Sequence, residues 1–207
     1  MDSMIRNVYC VGRNYRLHAA ELGNEVPSTP MIFMKPSHAV IPLDKSIIVL
    51  PKEQGEVHYE GELVIRIDRD YEPGSTVDDL VKVMALGIDF TLRDVQQVAK
   101  EKGHPWTAAK GFKSSAPLTS FIAFPGMEGL ISQDFTVIKN KVEVQRGNAR
   151  DMIFSLQNII DFIGLQYGLG EGDIIFTGTP AGVGPVSSGD QFQLIWGDNQ
   201  LGSCVIE

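Results

Sequence analysis

Hydrophobic and polar positions alternate in short bursts along this chain, and the bursts outline a β-rich protein with brief helices. Residues 5–11, 31–34 and 46–50 are short apolar runs closed by Gly12, Lys35-Pro36 and Pro51, and each reads as a strand. Residues 13–22 have helical character instead, with Asn14 placed to cap the helix and Gly23 to end it. A polar turn at 52–56 leads into the strongest strand signal, 57–67, which carries Glu60 and Glu62 at its head. After a turn at Pro73-Gly74, Ser75 is placed to cap a helix with Asp78 as its third residue. Val77, Leu80, Val81 and Met84 form the apolar stripe of that helix, and Gly87 stops it.

The next helix begins near Leu92 and ends at Gly103. Residues 118–124, 135–139 and 142–145 read as strands, the last two joined by a tight turn at Asn140-Lys141. Ser155 opens a helix whose stripe is Leu156, Ile159, Ile160 and Ile163, ending around Gly164. Strands at 174–176, 191–196 and 201–206 complete the pattern.

The composition narrows the class. With 207 residues, 43% of them hydrophobic and 21% charged, the chain can bury one substantial core and is short for two. The expectation is one domain over 1–207. A formal charge of −8, from 26 acids against 18 bases, offers no basic surface for nucleic acid or an anionic membrane. Cys10 and Cys204 are the only cysteines, which argues against a cysteine-zinc site and a disulfide framework. No stretch approaches the about 18 apolar residues of a membrane span, so the expected location is the cytoplasm. The four histidines are scattered at 18, 38, 58 and 104, and neither G-x-S-x-G nor H-E-x-x-H occurs, which disfavours serine hydrolases and three-histidine zinc enzymes.

The candidate chemistry lies in the acids. On a strand, Glu60 and Glu62 project to one side with Cα atoms roughly 7 Å apart, where one hard cation can bridge them; a solvated strand face is the plainer reading. Asp89 stands between apolar residues, either as a cap for the helix beginning near Leu92 or as a ligand. His18 and Glu21 are three apart on one helical face, an acid/base pair if it faces a cavity and a surface pair if it does not. Arg93 and Gln96 share a face in the same way. Lys110 sits among small and apolar residues, either as a surface ammonium or as a buried charge. Thr177-Gly178-Thr179-Pro180-Ala181-Gly182-Val183-Gly184 lets backbone N–H groups approach an anion but lacks the ending of a Walker A loop.

Several segments, in order, resemble the fumarylacetoacetate hydrolase superfamily in its small single-domain branch of acylpyruvases and oxaloacetate decarboxylases. They are Tyr9-Cys10-Val11-Gly12-Arg13-Asn14-Tyr15, Phe33-Met34-Lys35-Pro36, His58-Tyr59-Glu60-Gly61-Glu62, 87–94, Pro105-Trp106-Thr107 with Lys110, and 177–184. The resemblance implies an α+β, mainly β fold: a curled mixed β-sandwich with short helices and a small N-terminal lid over 12–30. It also implies a homodimer. Glu60, Glu62 and Asp89 become ligands to Mg²⁺ or Mn²⁺, with Ca²⁺ as a substitute. His18 and Glu21 become a catalytic dyad on the lid, with Lys110 assisting. Arg93, Gln96, Lys110 and Thr179 surround a small 2-oxo acid. The implied activity is metal-dependent C–C bond cleavage of acylpyruvates or related 2,4-dioxo acids to pyruvate plus an organic acid, with oxaloacetate decarboxylation beside it. The alternatives are a 2-hydroxymuconate-type isomerase or decarboxylase and a non-catalytic oxo-acid-binding dimer. Gly61 departs from the family pattern, since relatives usually carry an apolar side chain there, and a looser strand is expected.

Overall fold

Backbone pairing assembles the short strands into three sheets. The computed structural model describes every residue except 1–3, 22, 24, 25 and 52, so Leu22, Asn24 and Glu25 of the expected lid and Lys52 of the expected turn lie outside the described residues. The largest sheet runs, in spatial order, Met31–Lys35, Val8–Gly12, Ile174–Phe176, Gly61–Ile67, Val81–Ile88, Ala116–Leu118 and Val40–Pro42, with Ile122–Ala123 also paired to Val81–Ile88. A second sheet runs Val142–Gly147, Phe135–Lys139, Gln191–Trp196, Asn199–Ile206 and Asp44–Ile48. The third joins Gly184–Pro185, Val57–Tyr59 and Thr91–Leu92. Most pairs are antiparallel; Val8–Gly12 runs parallel to Ile174–Phe176, Asn199–Ile206 to Asp44–Ile48, and Val40–Pro42 to Ala116–Leu118. The result is a mixed α+β fold, mainly β and curled, with short helices.

Local signals explain many boundaries. Asn140 and Lys141 have φ of 52° and 68°, the left-handed pair that a two-residue hairpin turn requires. Asn140 is held there by its own amide, which donates to Asp190 at 2.7 Å and accepts from the Gln191 N–H at 2.9 Å. The Ser155 side chain caps the helix Leu156–Gln166, which buries Leu156, Ile159, Ile160 and Ile163 at roughly 1.5–3 kcal/mol apiece. The helix runs past Gly164 by half a turn.

Three sequence expectations are corrected. The helix after Pro73-Gly74 spans only Val77–Leu80, and its cap is Thr76, in a capping box with Asp79, rather than Ser75 with Asp78. Val81 and Met84 are buried as expected, but in the strand Val81–Ile88, which is paired along its length with Gly61–Ile67. A central strand satisfies its backbone on both edges, and that pairing overrides the helical spacing of the stripe. Asn14 does not cap the helix Arg16–Glu21. Its amide donates to the carbonyls of Thr177 (2.8 Å) and Phe154 (3.2 Å) and accepts from the Phe154 N–H (2.8 Å), tying the chain just before Arg16–Glu21 to two distant loops. The helix Gly126–Ser132 carries no strong periodic signal and is absent from the sequence reading. No helix among the described residues is long and apolar enough to cross a membrane.

Candidate active site

The expected continuous strand at 57–67 is interrupted at Glu60, and the break shapes the site. Val57–Tyr59 belongs to the three-stranded sheet and Gly61–Ile67 to the largest one, so Glu60 stands where the chain passes between sheets. Register brings Glu62 opposite Gly87, and the Asp89 N–H donates to the Glu60 carbonyl at 2.8 Å. Carboxylate oxygens of Glu60, Glu62 and Asp89 thereby lie within 4.8 Å of one another, all three side chains buried. Asp89 is not a helix cap: Leu92 occupies that position before Arg93–Lys102, without a side-chain cap. Gly61 tightens this junction rather than loosening it. A Cβ there would stand 2.2 Å from Val137 Cγ2, and the Gly61 N–H donates to Gln145 at 2.8 Å.

Cationic side chains hold the acids in place. The Lys110 ammonium, 3% exposed, donates to Glu60 (2.9 Å), Asp89 (2.6 Å) and Thr91 (2.6 Å). Arg93 donates to Glu60 at 2.6 Å and to Gln96 at 2.8 Å. Lys35 lies 2.8 Å from Asp89 Oδ1 and donates to Ser115 and to the carbonyls of Phe90 and Lys110. Sequence reasoning missed Lys35 as a site residue; the available signal was a lysine closing an apolar run directly before a proline.

These partners divide the acids. Burial works to raise the Glu60 pKa, but Lys110 and then Arg93 outweigh it and hold the carboxyl below the usual range. Burial likewise disfavours a charged Lys110, yet Asp89 and Glu60 push it up to about 12. Glu62 is pushed well above the ordinary carboxylate range by burial, then by Asp89 and Glu60, and the Gly178 N–H (2.8 Å) offsets this only in part. Asp89 Oδ1, for its part, receives no aligned hydrogen bond. An all-oxygen donor set with an under-compensated carboxylate suits a hard divalent cation such as Mg²⁺ or Mn²⁺.

His18 and Glu21 do pair, as their helical spacing predicts. His18 Nδ1 lies 3.2 Å from Glu21 Oε2, and the buried imidazole lines the same cleft as the three carboxylates. With its proton on Nδ1 the ring donates to Glu21, leaving Nε2 free to accept a proton. Glu21 is anchored in turn by the Gly182 N–H, at 3.1 and 3.3 Å from its two oxygens. The glycine-rich loop at 177–184 does serve anions, and they are the protein's own: Gly178 serves Glu62 and Gly182 serves Glu21. Thr179 accepts from Gln145 at 2.8 Å and donates to the Gly61 carbonyl at 2.8 Å, so Gln145 is a second missed residue that ties the loop to the acid strand. Arg93, Gln96, Lys110 and Thr179 all line the cleft with His18, and of the expected set only Glu21 stands behind the lining.

Fold and site together define a β-rich scaffold that presents three buried carboxylates able to hold a divalent cation, with a His–Glu pair at the same cleft. The model of the family Fumarylacetoacetate (FAA) hydrolase C-terminal matches residues 7–205, and the chain belongs to that family. It is 39% identical to the mitochondrial oxaloacetate decarboxylase of Dictyostelium discoideum over 89% of this chain and 85% of that protein. It is 35% identical to an oxaloacetate tautomerase of Escherichia coli, covering 100% of this chain and 95% of the relative. The solved fumarylpyruvate hydrolase of Pseudomonas aeruginosa in complex with Mn²⁺ and pyruvate superposes with a TM-score of 0.89 at 32% identity, over 98% of this chain and 89% of that one.

Proposed function

We propose that this protein is a divalent-metal-dependent enzyme that works on 2-oxo acids through their enol form, and that its reaction is keto–enol interconversion of oxaloacetate. The observation that carries the reading is the buried triad Glu60, Glu62 and Asp89 facing one cleft with the His18–Glu21 pair. Glu60, Glu62 and Asp89 would hold Mg²⁺ or Mn²⁺, which would supply Lewis-acid polarisation of the 2-oxo group. Arg93, Gln96, Lys110 and Thr179 bind and orient the head of the acid. His18 Nε2 accepts the proton that leaves C3 and returns it to the C2 oxygen. Glu21 keeps the ring in the required tautomer and stabilises its protonated form. The lid excludes water, so that the enol is not lost to side reactions.

A second reading, C–C cleavage of an acylpyruvate, is favoured by the likeness to the fumarylpyruvate hydrolase. There the same Nε2 takes its proton from water. Chelator-treated protein is assayed with oxaloacetate, acetylpyruvate and fumarylpyruvate, with and without Mg²⁺ or Mn²⁺. Enol absorbance and pyruvate release are followed separately. Metal-restored loss of enol absorbance without pyruvate supports tautomerisation; metal-restored pyruvate from the dioxo acids supports cleavage. His18→Ala should lower the rate by about 10²–10⁴ while leaving Mg²⁺ affinity by calorimetry unchanged. Equal rates in variant and wild type would remove His18 from the proton path.

A further inference from the structure

Four cationic side chains, Arg13, Arg93, Lys100 and Lys110, line the cleft, against three carboxylates, before any divalent ion is counted. Lys110 and Arg93 are ion-paired with those acids at the end of the cleft assigned to the head of the substrate. Arg13 and Lys100 are not: neither takes part in an ion pair among the described residues. No other acid lines the cleft among the described residues.

Lys100 continues the wall that carries the head-group side chains. Arg93, Gln96 and Lys100 follow helical spacing on Arg93–Lys102 and share one face. Four residues separate Gln96 from Lys100, about 6 Å along the axis. An oxo acid of four to six carbons spans on the order of 4–6 Å between its end carbons. The Lys100 ammonium is held 5.6 Å from the Trp106 ring centroid, a contact that steadies a cation without neutralising it. Arg13 reaches the cleft from the turn after Val8–Gly12 through a left-handed backbone, φ 58°, which a non-glycine residue adopts at a cost. The flanking Asn14 clamp holds that conformation. Burial, followed by the nearby Arg13 and Arg93, shifts the Lys100 pKa down, and the pull of Glu60 offsets this only in part.

We propose that Lys100 and Arg13 form a carboxylate subsite for the far end of the substrate, so that the protein selects 2-oxo acids with a second carboxylate over equally long monoacids. This rests on the oxo-acid reading of the cleft and assigns the selectivity to two residues outside the metal cluster and the dyad.

The test is calorimetric binding to Mg²⁺-loaded protein of two diacids, 2-oxoglutarate and 2-oxoadipate, and two monoacids, 2-oxovalerate and 2-oxocaproate. Lys100→Met and Arg13→Asn each remove one charge; methionine suits the helix and asparagine tolerates the left-handed backbone. Wild type should prefer the diacids about ten-fold, the effect of one charge-assisted hydrogen bond. Each variant should cut that preference at least about three-fold, leave monoacid affinity unchanged, and Lys100→Arg should retain it. The same diacid preference in wild type and both variants overturns the subsite. Failure of wild type to bind any of the four acids with Mg²⁺ present overturns the oxo-acid reading, and the subsite with it.

Discussion

Replacing Lys110 with methionine tests whether the protein's own cations stabilise the acid cluster when no divalent ion is bound. Methionine keeps an unbranched apolar stem but removes an ammonium that bonds Glu60 at 2.9 Å, Asp89 at 2.6 Å and Thr91 at 2.6 Å. The side chain is 3% exposed, so water cannot take its place. Breaking a buried ion pair in this way costs about 3–5 kcal/mol, because the surviving charges stay buried. Here they are not left bare: Arg93 still bonds Glu60 at 2.6 Å, and Lys35 stays 2.8 Å from Asp89. The loss should therefore fall at the lower end, about 3 kcal/mol. Mg²⁺ at a hundred times its Kd adds about 2.7 kcal/mol to any state that binds it, enough to return the variant to about the stability of the metal-free wild type. Urea melts of both proteins, in chelator and in Mg²⁺, read these quantities directly. Unchanged stability in chelator would refute the neutralising role of Lys110. A loss that Mg²⁺ does not recover would put the cation somewhere other than this cluster.

Two further outcomes are expected. Glu62 is held above its ordinary pKa by burial, Asp89 and Glu60, so between about pH 4.3 and its raised folded value the unfolded chain gives up that proton first, and metal-free protein loses stability as pH rises. Glu60, held low by Lys110 and Arg93 despite its burial, acts oppositely and only below the ordinary carboxylate range. In chelator, Glu62→Gln should therefore flatten the decline in urea-melt stability from about pH 5 upward; a decline as steep in the variant as in wild type assigns it to another group. Gly182→Ala should cost about 2–4 kcal/mol, since φ is 101° and the new Cβ would stand 2.0 Å from the Val144 carbonyl oxygen. It should also weaken the Gly182–Glu21 contact, and a melt within error of wild type would show that the loop yields.

Much of this molecule is legible along the chain because its signals are local. The hairpin at Asn140-Lys141 and the stripe of Leu156, Ile159, Ile160 and Ile163 depend on neighbours a few residues away, and both form as the pattern predicts. His18 and Glu21 meet for the same reason, being one helical turn apart. Motif order carries the family, and with it the expectation that Glu60, Glu62 and Asp89 belong together. What spacing could not supply is partnership across the fold. Val81–Ile88 has a helical stripe and becomes a strand because Gly61–Ile67 lies beside it. Asn14 looks like a cap and becomes a strap to Thr177 and Phe154, and Lys35 looks like the end of an apolar run and becomes a counter-ion to Asp89, 54 positions away. Residue type and short-range periodicity thus determined which side chains were available for chemistry and which turns the chain makes. Only the tertiary structure decided which charges face each other, since a buried ion pair depends on sheet register and loop closure that no local pattern encodes.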